Sequence, residues 1–494
     1  MLIKHIFSYF ISKGLTGILT FVGIALYTRM LTTADYGEYA LIVATATLIN
    51  AILFQWIRLV LLRFLSKYKK EKSEHLLLST LCVSYIVILV FLIFVTVLIS
   101  FFKLISFHFI ISILLFTISQ SLFEIVLEIL RSSLYANIYG ILSVFKSIIS
   151  LGASLLLIKV GLGSVALIIG SVLGALISLT FIFILAFKKQ KVSISLLVSN
   201  GLRNFDYKLL KEFLTYGIPL TATLSMSFII DQSDRLLLGW FAGKSEVGVY
   251  SVAYDLTQQT IITVMMVINL AAYPLCVRAL ETKGVEAARK QVKSNVTALL
   301  LVSIPSMVGM VALSDSVSST VLGRDFSEKS SGIVSVIAIV AFLQGVKVYY
   351  LDHSFQLGKK TNLQFYPVLV SGVLNVILNL ILIPLYKIQG AVYATLISYI
   401  VAIFLSWRIG KGIFPLPFPF KDFAKIAICS LLMGVPLYFL NSAQETLYGL
   451  LFKILLGAFI YFIAIYSLNV WDIKYRLGIF VNKTSKNKQG LRLP

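Results

Sequence analysis

Cysteine, histidine and charge are all scarce in this chain, and each scarcity closes a class of function. Three cysteines occur in 494 residues. Cys82, Cys276 and Cys429 are odd in number, far apart and each within an apolar run, so neither a disulfide framework nor a C-x-x-C pair is present. The four histidines, His5, His75, His108 and His353, are scattered with no two at metal-ligand spacing, which argues against a zinc site. No G-x-x-x-x-G-K-[ST] phosphate loop occurs, so the chain carries no ATPase engine of its own, and no catalytic residue, metal or cofactor is expected. Only 13% of residues are charged, against about 25% in an average soluble domain.

What the chain has in excess is apolar side chains, at 59%, with a mean hydropathy of +0.94. That leaves too little polar surface to wrap a soluble core. The composition is that of an all-α integral membrane protein, and it excludes a soluble enzyme, a nucleic-acid-binding domain and a disordered chain. The net charge of +22 resolves into short basic connections, which suits membrane topology better than a nucleic-acid partner.

A helix needs about 20 apolar residues to cross the hydrocarbon core, because its backbone groups must pair within the segment. By that measure about fourteen spans are expected. They lie near 6–28, 38–62, 76–101, 105–130, 138–159, 162–187, 213–239, 247–276, 295–322, 331–354, 364–386, 389–409, 423–441 and 446–470. Lys4 ahead of an apolar stretch resembles a signal peptide, but the stretch is too long and lacks a cleavage motif, so a retained first span is read. With this count, most Lys and Arg fall on one side: Lys67 to Lys72, Lys188 to Lys211, Arg278 to Lys293, Lys359 and Lys360, Arg408 to Lys421, and a tail from Lys474 to Arg492. The positive-inside rule then places both termini in the cytoplasm of a cytoplasmic (inner) membrane protein. Outer connections are short, the longest near Ser314–Ser331, so the working parts must lie between helices.

The basic connection 188–211 divides the chain into a first lobe, 1–187, and a second, 212–410, of about six spans each. A Pro-rich strap at 411–422 precedes a terminal helix pair at 423–470 and a basic tail at 471–494. Both lobes place a Gly two residues before a Tyr after their first span: D-Y-G-E-Y from Asp35 and E-V-G-V-Y from Glu246. Gly would serve there as a tight turn and Tyr as an interfacial anchor. Internal symmetry of this kind is common in transporters that rock two related bundles around a cargo. Alternating prolines in F-P-L-P-F-P-F (Phe414–Phe420) forbid helix and favour an extended strap at the membrane surface.

T-R-M-L at Arg29 followed by D-Y-G-E-Y, then Y-G-I-P-L (Tyr216–Leu220), D-Q-S-D-R-L-L-L-G-W-F-A-G (Asp231–Gly243) and V-G-V-Y-S-V-A-Y, resembles the bacterial polysaccharide and O-antigen flippases. These belong to the multidrug/oligosaccharidyl-lipid/polysaccharide exporter superfamily. The resemblance covers the chain from first span to last. It implies an inverted-V transporter, with undecaprenyl-pyrophosphate-linked oligosaccharide repeat units for capsule, exopolysaccharide or O-antigen as cargo. Membrane lipids, a coupling ion (H+ or Na+) and polysaccharide polymerase machinery are the partners it suggests.

A charge in hydrocarbon costs at least roughly 2.5–3.5 kcal/mol, so intramembrane charges mark a cavity or a partner. Arg29 and Arg58 either snorkel to headgroups or face the cleft and hold phosphate, for which the planar guanidinium is suited. Lys146, two turns inside its span, is hard to explain by snorkelling and is read as cavity-lining. Glu124, Glu128 and Arg131 share one helix face; Glu128 and Arg131 can neutralise each other, leaving Glu124 for Lys146 or a coupling cation. Asp231 and Arg235 can pair along span seven; Asp234 and Asp255 complete the gating or ion-coupling candidates, and Arg235 joins the substrate-binding set. Lys347, Asp352 and His353 are read as snorkelling. Ser371, Asn375 and Asn379 form a stripe explained by hydrogen bonds between helices, and Gly170 and Gly174 by close helix packing. The expected function is a lipid-linked oligosaccharide flippase. A multidrug or organic-cation antiporter is the first rival, which would favour acidic over basic cleft residues. A membrane-embedded polymerase is the second, which would need a large outer loop.

Overall fold

The computed structural model describes residues 2–103, 106–133, 135–189, 205–442 and 445–475. Most of the 188–211 connection and of the 471–494 tail therefore lies outside the described residues. Helices fill the rest, with no strand among the described residues. In order they are α1 (Leu2–Met30), α2 (Thr33–Leu53), α3 (Gln55–Lys70), α4 (Glu74–Phe101), α5 (Phe107–Ser132), α6 (Ala136–Lys159), α7 (Gly163–Lys189) and α8 (Tyr207–Ala242). Then follow α9 (Lys244–Thr257), α10 (Thr263–Lys283), α11 (Val285–Ala312), α12 (Ser314–Val321), α13 (Arg324–Val346) and α14 (His353–Leu357). Last come α15 (Phe365–Gly410), α16 (Phe420–Phe439) and α17 (Leu447–Ser467). Single π-helical turns at Gln258–Ile262 and Lys347–Leu351 join α9 to α10 and α13 to α14.

Among the described residues eleven helical runs are long and apolar enough to cross a membrane, or twelve with the bent pair Tyr207–Met226 and Ile230–Ala242. Part of the difference from the expected number has a local cause. The segments 364–386 and 389–409 both fall in α15, whose 46 residues would extend roughly 69 Å as one straight helix. Lys387 breaks it, with φ 50° and ψ −125°, three residues after Pro384 removes a backbone donor. Conversely, the expected span 38–62 is split at Phe54, whose φ of −112° and ψ of −14° separate α2 from α3. The Phe54 ring is fully buried against Tyr85, at 5.1 Å between centroids, which fixes that bend by packing. The expected outer connection near Ser314–Ser331 is itself mostly helical. Asn441 accepts from the Ser316 amide at 3.0 Å and donates to Asp315 at 2.8 Å, holding the start of α12.

The chain divides into two compact units, Met1–Val252 with Phe365–Ser398, and Ala253–Gln364 with Tyr399–Pro494. In the first, Trp56, Ile57, Val60, Leu61 and Leu65 of α3 meet Leu77, Leu78 and Leu81 of α4, Phe123 and Leu130 of α5, and Phe213 of α8. The opposite face of α4 is bare: Val87, Val90, Phe94 and Val97 are each more than 60% exposed, at helical spacing. A continuous exposed apolar face of this kind is lipid-facing. In the second unit Val292, Val296, Leu300 and Ile304 form an i, i+4 stripe on α11 packed with Ile426 and Cys429 of α16 and Ile465 of α17. Gly170 and Gly174 let α7 lie against α6, where an added Cβ would strike Ser154 and Ser150.

Candidate functional site

A cavity of about 350 Å³ opens within the first unit between α1, α5 and α6. Its wall includes Lys13, Gln120, Phe123, Glu124, Tyr139 and Lys146. Lys146 is carried inward by α6, where its ammonium donates to Gln120 Oε1 at 2.6 Å and stands 4.6 Å from the centre of the Phe123 ring. Gln120 and Glu124 are one turn apart on α5 and so share a face. Glu124 is engaged from the other side: Arg58 of α3 is ion-paired with it, and Asn50 of α2 donates to Oε2 at 3.0 Å. Arg58 is also tied to Gln55.

This decides against one alternative for each of two residues that the sequence left open. Glu124 is not the partner of Lys146; the amide one turn earlier takes the lysine, because α6 approaches α5 at the level of Gln120 while α3 approaches at Glu124. Arg58 does not snorkel, since its side chain is only 16% exposed and bound to a carboxylate. Arg131 pairs with Glu128 at 3.1 Å, three residues apart on one helix. Lys13, Gln120, Tyr139, Ser143 and Ser147 were not singled out from the sequence. The one signal available was Ser143 and Ser147 flanking Lys146 at helical spacing, which marks a polar face.

The remaining candidates scatter. Arg29 is exposed on the last turn of α1, where a cation complements the helix's C-terminal carbonyls, and it does not line this cavity. Arg235 is buried and Asp231 half-buried on α8; Asp255 is half-buried on α9, in the second unit. Asp234 is buried at 1% exposure and has neutral partners: Tyr250 Oη donates to Oδ2 at 2.7 Å, Thr395 Oγ1 donates to the same oxygen, and Asn379 Nδ2 donates to Oδ1. Asn375 accepts from Ser233 and Asn379, each at 3.0 Å. The α15 stripe thus bonds to α8, as expected of a polar stripe, but the carboxylate at its centre was not foreseen. Asn379 Oδ1 is buried without a hydrogen-bond partner. Asp234 is thus held by two hydroxyl donors and one amide N–H, an arrangement that stabilises a buried carboxylate. Among the described residues no cluster of three or more His, Cys, Asp or Glu could hold a metal.

The two G-x-Y segments meet each other at the N-terminal ends of α2 and α9. Neither glycine makes a turn. Both lie within helices, and a Cβ on Gly37 would fall on the Lys244 carbonyl, one on Gly248 on the Thr33 carbonyl. Their bare backbones let the helices touch. Thr33 and Ser245 hydroxyls are 2.7 Å apart, and Glu38 receives Lys244 at 2.7 Å and His108 at 2.9 Å. Tyr250 is not an interfacial anchor; it is 2% exposed and bonded to Asp234. Lys347, Asp352 and His353 do not snorkel either. Lys347 pairs with Asp352 at 3.0 Å, both buried, and His353 stacks on Tyr273 at 4.7 Å. The π-helical turn at Lys347–Leu351 offsets the residues around this pair from ordinary α-helical register.

Residues 2–280 match the family model described as "Polysaccharide biosynthesis protein", and residues 219–381 match the MatE model. The probable low-salt glycan biosynthesis flippase Agl15 of Haloferax volcanii is 24% identical over 344 residues, 69% of each chain. The teichuronic acid biosynthesis protein TuaB of Bacillus subtilis is 26% identical over 141 residues, 28% of each. Among solved structures, the lipid II flippase MurJ in an inward closed conformation superposes with a TM-score of 0.75 at 18% identity, covering 95% of this chain and 99% of that one. An inward-facing multidrug resistance MATE family transporter of the MOP superfamily gives 0.62 at 12% identity, covering 80% and 94%.

Proposed function

The chain belongs to the polysaccharide biosynthesis protein family, and from that premise we propose that it is a flippase for a lipid-linked glycan, moving its polar head across the cytoplasmic membrane. The observation that carries this reading is the cation-bearing cavity of the first unit. Lys146 and Lys13 line it, Arg58 stands behind Glu124, and Gln120, Tyr139, Ser143 and Ser147 supply hydrogen-bonding groups. An anionic phosphate and sugar hydroxyls find both kinds of partner there. The isoprenoid tail remains in lipid, with undecaprenyl-pyrophosphate oligosaccharide of capsule, exopolysaccharide or O-antigen as the cargo class. Alternating access between lobes 1–187 and 212–410, about fourteen spans and cytoplasmic termini belong to this proposal.

Lacking a phosphate loop, the protein draws on an ion gradient, the membrane potential or removal of product on the far side. The Asp234 oxygen cluster is the coupling element in this reading, exchanging H+ or Na+, with Asp231 and Asp255 as further gating candidates. The MATE likeness supports a second reading, a multidrug antiporter of the same superfamily. An organic cation would sit poorly beside two lysines, so the anionic cargo is preferred. Reconstituted liposomes carrying a fluorescent undecaprenyl-pyrophosphate oligosaccharide, with outer-leaflet arrival read by a membrane-impermeant quencher, test it. Transport of ethidium in place of the glycan lipid would favour the antiporter instead.

A further inference from the structure

A larger cavity, about 520 Å³, lies in the second unit. Its floor is made by Tyr350 and Leu351 of the second π-helical turn with Ser354 of α14, and one wall by Ile403, Ser406 and Trp407 near the end of α15. The strap supplies the other wall through Phe414, Leu416 and Phe418. The strap is seated by its aromatic rings. Phe418 lies 6.1 Å from Tyr350, 4.8 Å from Phe420 and 5.3 Å from Phe423. Phe414 is buried at 5% exposure. Proline at 415, 417 and 419 holds the strap extended, so it lines the cavity without closing into a helix.

The lining is mostly apolar; its Ser354 hydroxyl donates to the Leu351 carbonyl at 2.8 Å, which leaves Ser406 and Lys411 as the polar groups open to a ligand. Ser406 is fully buried, lines the cavity, and its hydroxyl has no hydrogen-bond partner. A buried hydroxyl without a partner is destabilising, and a ligand's oxygen would satisfy it. At the rim Lys411 contributes an exposed ammonium, 5.9 Å from the Trp407 ring. Along the chain the strap is flanked by further cations, Arg408 in the last turn of α15 and Lys421 in the first turn of α16.

We propose that this cavity is a binding site for a resident anionic phospholipid, one acyl chain lying beneath the strap and the phosphate on Lys411. A mostly apolar cavity lined by Trp407, with Lys411 5.9 Å from its ring, matches the amphipathic order of such a lipid: chain, glycerol ester, phosphate. The ester oxygens are the acceptors for the Ser406 hydroxyl. A cargo lipid that crosses leaflets needs an open lateral path, whereas the strap is covalently tied at both ends and packed by four rings. The geometry therefore suits a molecule that stays, stapling α15 to the strap and to the start of α16. The site is independent of the cavity assigned to cargo.

Native mass spectrometry of the full chain in mild detergent tests this, with equal amounts of phosphatidylglycerol and phosphatidylcholine added. One phosphatidylglycerol is expected to stay bound at activation energies that strip phosphatidylcholine. Lys411→Glu, an exposed change that leaves the fold intact, should reduce that retention about tenfold, equivalent to roughly 1.4 kcal/mol. Ser406→Ala should weaken it by a smaller factor, and Ser406→Phe, which fills the void, should abolish it. Equal retention of both lipids, or retention unchanged in Lys411→Glu and Ser406→Phe, would overturn the proposal. Displacement of the bound lipid by undecaprenyl phosphate would also overturn it, by making the cavity a cargo site.

Discussion

Arg58 on α3 and Glu124 on α5 form an ion pair, and Asn50 on α2 donates to the same carboxylate at 3.0 Å. Three helices are thus tied at one point on the edge of the cavity that Lys146 enters. Removing the guanidinium leaves a carboxylate with one neutral partner in a partly buried place. Arg58→Ala is expected to lower stability by about 1–3 kcal/mol, less than a fully buried pair because the Glu124 side chain is 37% exposed. Glu124→Gln in the same background should recover part of the loss, since it removes the uncompensated charge. Thermal unfolding in detergent measures both; equal melting temperatures for Arg58→Ala and wild type would refute the structural importance of the pair.

Lys146 contributes differently. Its one hydrogen-bond partner among the described residues, Gln120, is neutral, which leaves the ammonium's charge for an anionic ligand. Lys146→Met should leave the melting temperature nearly unchanged and reduce glycan-lipid flipping by about tenfold or more. Lys146→Arg should retain most activity. Comparable losses in both variants would point to shape rather than charge as the requirement.

Asp234 accepts from Tyr250, Thr395 and Asn379, and the amide of Asn would bring N–H donors against those donors. Asp234→Asn is expected to destabilise by about 2–3 kcal/mol and to remove the dependence of transport on an imposed gradient. Initial rates in liposomes under Na+ or H+ gradients separate the two ions. A gradient response that survives in Asp234→Asn rules out this cluster as the coupling element.

Gly37 and Gly248 permit the contact of α2 with α9, and Thr33 and Ser245 touch there at 2.7 Å. Gly37→Ala should cost about 1–3 kcal/mol, because the new methyl meets backbone that cannot rotate away. The double variant Thr33→Cys, Ser245→Cys should form a disulfide under mild oxidant, arresting transport until reductant is added. Full transport in the oxidised protein would mean that this contact never needs to open.

The general class was legible in one dimension. Apolar length fixes which segments can leave water, and the basic residues cluster between such segments, so an all-helical membrane protein follows from counting residues along the chain, while the family resemblance rests on the motifs around Arg29, Tyr216 and Asp231. Even the i, i+3 pair of Glu128 and Arg131 could be read, since one helix dictates its own neighbours. Partners on different helices could not. Arg58 meets Glu124 across 66 positions, and Tyr250 meets Asp234 rather than a membrane interface, because those contacts depend on which faces of separate helices pack together. The G-x-Y repeat shows the division most clearly. Sequence found both copies, but only the packing of α2 on α9 reveals that the glycines exist for each other, where a side chain on either would hold the two backbones apart.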